Sequence, residues 1–356
     1  MKLTIIIDYL IISIIASMAI NSVLRNYARK YKLLIDIPDR SRKFHSRPTP
    51  LTGGLGILIA LIVSGKLYID LNNLNGYVPD FTYQLVVSSV PLLCLFLIDD
   101  FKDLSAYKRI LIQILISAYM IYTTDVYLVS LGNLFGFGEI NLGFFSIPFT
   151  IFCVVGLMNA FNMIDGINGL CSGCAMMAML MIGFYSGLIY DSMLVLIIGS
   201  MIGFLIFNLR IFGKKRGVFL GDSGSNLIGF WVAWSAIFAS QNEIYDVEPI
   251  TMLWFVSVPL LDCIGLIFSR SKRGISWSSP GRDHVHHKLM NYFSPENTLL
   301  VILLTTLTTG LIGIYLEKNF SPMISMIAFV AYSIIYYTLA YYFSDKKNQK
   351  IFKDGF

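Results

Sequence analysis

Asn159-Ala160-Phe161-Asn162-Met163-Ile164-Asp165-Gly166-Ile167-Asn168-Gly169-Leu170 is the stretch from which the rest of the chain is read. The apolar run Ser146 to Met158 leads into it, and another apolar run begins at Leu170. Polar residues at the end of a membrane-length apolar run are costly unless they face water, a partner or a ligand. Asp-Gly and Asn-Gly are also ordinary turn dipeptides, so a plain inter-helix turn is the competing reading. Repetition weakens the plain turn: Asp99-Asp100, Asp222 and Asp283 stand in the same relation to other runs.

Composition makes these runs membrane spans. Of 356 residues, 56% are hydrophobic and only 14% are charged, the balance of an integral membrane protein. A span needs roughly 20 apolar residues. Eleven runs qualify: 3–24, 51–69, 83–98, 107–124, 146–163, 169–190, 192–209, 224–240, 249–269, 297–316 and 322–343. The expected fold is all-α, one polytopic catalytic domain over residues 1–356 with about eleven transmembrane helices. The first run has the outline of a signal peptide, with Lys2 before it and Ala16-Ser17-Met18-Ala19 within it. Its continuation to Leu24, and Asp8 inside it, favour an uncleaved span.

Lys and Arg set the orientation. Alternating the loops puts residues 25–50, 99–109, 164–168, 210–223, 270–296 and the tail 344–356 on one side. That side holds every Lys and Arg except Lys2, Lys66 and Lys318. It is therefore cytoplasmic, with the N-terminus outside and the C-terminus inside. The net charge of +5 reports topology and calls for no nucleic-acid partner. All the acidic clusters fall on the cytoplasmic side. The five Cys lie in or at the edges of spans, and Cys171-x-x-Cys174 has no second pair to complete a zinc site, so it reads as packing.

Taken in order, the first cytoplasmic loop is basic and closes in Gly53-Gly54, where backbone can approach a ligand closely. Asp99-Asp100 precedes Lys108 and Arg109; carboxylates beside cations at a membrane face suit a metal–phosphate site, and equally a solvated helix cap. Residues 125–145, with alternating Phe and Gly at 135–138, suggest a short hairpin without chemistry. Phe219-Leu220-Gly221-Asp222-Ser223-Gly224 leads into a span. A helix N-terminus attracts phosphate and a lone Asp there can hold a cation, though a plain N-cap fits as well. The loop Arg270 to Lys288 crowds three of the four His into positions 284, 286 and 287. Zinc is one reading, but the neighbouring Arg and Lys repel a cation, and His amid Arg and Lys suits phosphate oxygens.

Together these motifs resemble the polyprenyl-phosphate N-acetylhexosamine-1-phosphate transferases of glycosyltransferase family 4. The resemblance rests on Arg42-Lys43-x-His45 with Pro50-x-x-Gly53-Gly54, Asp99-Asp100 with Arg109 and Gln113, Asn159 to Leu170, Phe219 to Ser225, and the Arg/His loop. The branch that moves GlcNAc-1-phosphate onto undecaprenyl phosphate, initiating O-antigen and related lipopolysaccharide glycans, is the better match. The MurNAc-pentapeptide branch usually has three consecutive His, and here Val285 interrupts them. The resemblance implies Mg²⁺ (or Mn²⁺) held by Asp222 with Asn162 beside it, and Asp99, Asp100 and Asp165 as catalytic residues. It implies substrate contacts from Lys43, His45, Arg109, Asn159, Asn168, Phe219, Arg273, Arg282, His284, His286 and His287. The implied partners are a UDP-N-acetylhexosamine, undecaprenyl phosphate and membrane lipid, at the bacterial inner membrane, and a homodimer is compatible with it. Two departures stand out: members generally carry Asp where this chain has Asn168, and commonly Lys where it has Arg109. The rival class is a secondary transporter, which would place charges at mid-span; here Asp8 and Asp262 alone among the acids do so.

Overall fold

The computed structural model describes residues 3–38, 47–71, 80–102, 104–190, 192–245, 247–276 and 281–354. All eleven apolar runs are helical. In chain order the helices are α1 (Leu3–Tyr31), α2 (Gly53–Leu71), α3 (Asp80–Lys102), α4 (Ala106–Thr124), α5 (Ser146–Ile164), α6 (Leu170–Ser186), α7 (Ser192–Asn208), α8 (Gly221–Gln241), α9 (Pro249–Phe255), α10 (Ser257–Lys272), the short α11 (Val285–Leu289), α12 (Pro295–Asn319) and α13 (Pro322–Asp354). With water absent from a bilayer core, backbone groups must be satisfied within the segment, which is why apolar runs of this length become helices. Six of the described helices are long and apolar enough to cross a membrane, or seven if the bent pair α9–α10 counts as one span.

That bent pair corrects the expected continuous span 249–269: its two halves meet at 82°. Pro259 supplies the reason, since it has no N–H to continue the helix ladder and its ring crowds the preceding turn. Strand structure is confined, among the described residues, to a two-residue pair, β1 (Ile35–Asp36) against β2 (Thr49–Pro50). The expected hairpin at 125–145 is present as an antiparallel bridge between Ser130 and Asn141.

α8 is the central helix. Nearly all of it is buried, including Phe230, Trp231 and Trp234. A helix that is apolar or small all round belongs in the interior. Small residues let its neighbours come close, as at membrane helix interfaces generally. A Cβ on Gly229 would lie 2.8 Å from Met158 Cα on α5, and one on Gly54 would lie 2.5 Å from Gly224 Cα. Gly53-Gly54 thus serves contact between α2 and α8, in place of the expected approach to a ligand. Backbone bonds from Gly53 to Phe219 O (2.9 Å) and from Gly54 to Leu220 O (3.1 Å) fix that contact at the start of α8.

Candidate active site

Several helix ends meet on one face: the C-terminal ends of α3, α5 and α10, the N-terminal ends of α4 and α8, and α11. Asp100, near the end of α3, accepts the backbone N–H groups of Asp222 (2.9 Å) and Ser223 (3.4 Å). A carboxylate there satisfies two of the N–H groups that a helix start leaves unpaired. Its neighbour Asp99 has a fully buried side chain. One oxygen pairs with Arg109 Nε at 2.8 Å and the other accepts Leu104 N–H at 2.7 Å. Arg109 reaches on from that anchor, placing Nη1 3.4 Å from Asp222 Oδ2. Asn162 donates from Nδ2 to Asp222 Oδ1 (3.2 Å) and to Ser225 Oγ (2.9 Å).

Behind these lies a chain of amides. Asn159 Nδ2 donates to Gln113 Oε1 (2.8 Å), Gln113 Nε2 to Asn226 Oδ1 (2.7 Å), and Asn226 Nδ2 to the Asp222 carbonyl (2.8 Å). The turn between α5 and α6 is held from the far side. Gly169, at a left-handed φ of 82° that suits glycine, donates its N–H to Asn208 Oδ1 at 2.6 Å, and Asn208 Nδ2 donates to Val218 O at 3.0 Å.

The histidine segment closes the other wall. Arg270 makes two contacts with Asp283, 2.8 and 3.4 Å, and Arg273 adds a third at 2.6 Å. Asp262 on α10 takes His284 Nδ1 at 2.9 Å and the Val285 N–H at 2.8 Å. His286 is buried with neither ring nitrogen hydrogen-bonded, and it lies directly on Gly166.

Between these walls is a cavity of about 300 Å³. Of the residues expected to act, Arg109, Asn159, Asn162, Asp165, His284, His286 and His287 line it. Asp222 joins two of those lining residues, Arg109 and Asn162, while Asp99 and Asp100 stand behind and hold Arg109 and the start of α8. Asn168 and Phe219 are half-buried and outside the cavity lining; Phe219 has the Arg210 guanidinium 5.9 Å over its ring. Arg273 and Arg282 are exposed. Lys43 and His45 fall outside the described residues. Asp262, Arg270 and Asn208 are the functional neighbours for which the sequence offered only a faint signal, a polar residue inside or ending an apolar run.

The electrostatics follow from crowding. Asp165 is exposed on the turn where it lines the cavity; displacement of water by the protein around it, then the negative charges of Asp222 and Asp100, push its carboxyl up to about 7. Asp283 is held well below the usual carboxylate range: burial alone would raise it, but Arg270 and Arg273 outweigh that. Burial first, then charge on the neighbouring imidazoles, lowers His286 well below the ordinary histidine value and His287 to about 4.

Two expectations arise here. Both lowered imidazoles are neutral in the fold, whereas the unfolded chain protonates them below about pH 6.5. Their contribution to stability is therefore complete above that pH and is lost as pH falls toward 4. Thermal unfolding in detergent should show that acid limb, and His287→Asn should flatten it; an unchanged limb would mean other groups produce it. Separately, a Cβ at Gly166 would overlap His286 Nε2, and the buried ring has no room to step aside. Gly166→Ala should displace the histidine segment, and a shift of about 1 Å costs on the order of 100-fold in turnover. Wild-type kcat in that variant would show that the ring repacks freely.

A family model described as glycosyl transferase family 4 matches residues 82–240, the span that carries Asp99 through Asp222. Among curated proteins, the chain is similar to the undecaprenyl-phosphate alpha-N-acetylglucosaminyl 1-phosphate transferase of Yersinia pestis, with 33% identity over 325 residues, covering 87% of this chain and 85% of the relative. The protein of the same name from Escherichia coli O157:H7 is 31% identical over 319 residues, with 86% and 85% covered. That of Haemophilus influenzae is 32% identical over 317 residues, with 86% of each covered.

Proposed function

This chain belongs to glycosyl transferase family 4, and from that premise we propose that it transfers N-acetylglucosamine 1-phosphate from UDP-N-acetylglucosamine to undecaprenyl phosphate. It is a glycosyl-1-phosphate transferase. A phosphate oxygen of the lipid attacks the sugar-bearing phosphorus, a new P–O bond forms, the bond to the UMP oxygen breaks, and UMP leaves. The observation that carries this reading is the cavity itself, where Arg109, amides, a carboxylate and the histidine segment meet at helix ends. Phosphoryl transfer asks chiefly for positioning and charge neutralisation, and such a set provides both. The pentapeptide branch is not favoured, in keeping with the names of the relatives.

The residues fit a divalent cation. Asp222 keeps 44% of its side chain exposed, and its contacts with Arg109 and Asn162 are long, at 3.4 and 3.2 Å. After desolvation, the negative charges of Asp222 and Asp100 are what raise Asp165, so two carboxylates act on it with their charge incompletely neutralised. Asp222 would hold Mg²⁺ or Mn²⁺ through oxygen, as hard cations prefer, with Asn162 joining once its amide turns to present oxygen. Bound there, the cation would neutralise charge building on the pyrophosphate. Arg109 contributes a fixed positive charge whether or not the cation is bound. One oxygen of Asp99 accepts the Leu104 N–H and the other is buried against the Arg109 guanidinium as an ion pair at 2.8 Å, while both of Asp100 accept backbone N–H groups. Neither is disposed to attack phosphorus, which supports single displacement.

We further read the molecule as an inner-membrane protein crossing eleven times, with this face cytoplasmic and its product starting O-antigen or a related surface glycan. A C-terminal reporter should be active only in the cytoplasm; activity only outside would overturn the topology. For the reaction, purified protein with undecaprenyl phosphate and a panel of UDP-N-acetylhexosamines should release UMP, fastest with UDP-GlcNAc. Solute flux in vesicles without UMP release would make it a transporter instead.

A further inference from the structure

Asp262 is a carboxylate buried inside an apolar helix, where a charge is costly and is retained when something uses it. It stands eight residues before Arg270 on α10, which is about two turns and so the same face. These two residues fasten three consecutive positions of the histidine segment: Arg270 holds Asp283, and Asp262 holds the His284 ring and the Val285 N–H. We propose that Asp262 is a positioning residue for the transfer reaction, aiming Nε2 of His284 into the cavity and making His284 the histidine that contacts the donor's phosphates.

An ionised carboxylate can only accept, so the His284 nitrogen 2.9 Å away, Nδ1, carries the N–H. The other nitrogen, Nε2, is then the one left for the cavity that His284 lines. A phosphate oxygen also only accepts, so Nε2 can meet it only as a donor, with the Asp262 carboxylate on the opposite side of the ring at 2.9 Å. The other two histidines differ. His286 is buried on Gly166 with no hydrogen-bond partner, and burial keeps both His286 and His287 neutral near pH 7. The further charges acting on this trio are Asp283 and Arg282. The His284–Asp262 contact is a histidine–carboxylate pair at 2.9 Å. The trio therefore divides its work: one member addresses the anion, and its two neighbours fill the wall that fixes it.

The inference rests on the transferase reading, and a double-mutant cycle separates the two. Asp262→Asn keeps the shape but can accept at only one atom. It should lower kcat/KM for UDP-GlcNAc about 10- to 100-fold, chiefly through KM, as loss of a group orienting a functional histidine does. The KM for undecaprenyl phosphate should not move. In a His284→Gln background the same change should cost less than about twofold, because the residue acts through that ring. Asp262→Glu, which keeps the charge, should recover part of the loss and serves the same cycle if the Asn variant does not fold. Calorimetric binding of UDP-GlcNAc to each variant reads the cycle without turnover. Losses from Asp262→Asn and His284→Gln that multiply independently, or a KM rise for both substrates alike, would overturn the proposal. A wild-type protein that binds UDP-GlcNAc but releases no UMP would instead overturn the transferase reading.

Discussion

Asp222→Ala should abolish transfer, lowering kcat by about 10³-fold or more, the scale seen when a principal charge-stabilising group is removed from a preorganised site. Asp222 is where the supports converge: Asp100 fixes its backbone, Arg109 and Asn162 address its two oxygens, and the amide chain ends on its carbonyl. The side chain is itself part-exposed, so the variant should still fold. A second readout does not depend on turnover. The Asp165 carboxyl, raised to about 7, favours the fold while protonated and costs stability as pH rises through that value. A divalent cation should relieve the cost, so Mg²⁺ should raise the unfolding temperature more at pH 8 than at pH 6. Asp222→Ala should erase the difference. Full activity of the wild type in excess EDTA would remove the cation from the account altogether.

Asp99→Ala carries the next largest effect, on stability as well as rate. Its side chain is fully buried against Arg109, which is 30% exposed. Removing one partner of a buried ion pair strands the other charge; since water reaches Arg109, the loss should sit near the low end for such pairs, about 3 kcal/mol. Arg109 would also lose the anchor that aims it at Asp222, so turnover should fall by a comparable factor in the protein that remains folded. Asp99→Asn keeps a group able to accept Leu104 N–H and should be the milder change. Isotope exchange discriminates the mechanism: labelled UMP should not enter UDP-GlcNAc in the absence of lipid. Such exchange, or a trapped aspartyl-phosphate sugar, would establish a covalent route through a carboxylate.

The helices were legible because an apolar run of membrane length has few other ways to satisfy its backbone. Pro259 accounts for the break at Val256 that the continuous apolar run 249–269 conceals, and the 82° angle depends on what packs around it. The carboxylates stood out as polar residues in apolar surroundings, but their partners did not. Asp99 and Asp100 are adjacent in sequence and do different things, one pairing with Arg109 and the other capping α8. That division depends on which side of α3 each faces, and it emerges only in the assembled bundle. Gly53-Gly54 was rightly read as a place of close approach, while the approaching object proved to be another helix. Asp262 stands out in the sequence as a mid-span acid, an exception to acids that otherwise sit at span ends; its neighbour in space, His284, accounts for it.

The row of amides from Asn159 to Asn226 runs in one direction. Its ends rest on the carbonyls of Val155 and Asp222, which take hydrogens and never give them. With both ends pinned, Gln113 has one allowed orientation, and the row has no mirror-image alternative to fall into. Shape alone would make glutamate a near-perfect replica of Gln113, yet it would set oxygen against the oxygen of Asn226. The back of the cavity thus behaves like a keyed connector, and spontaneous deamidation at this position would count as damage to it.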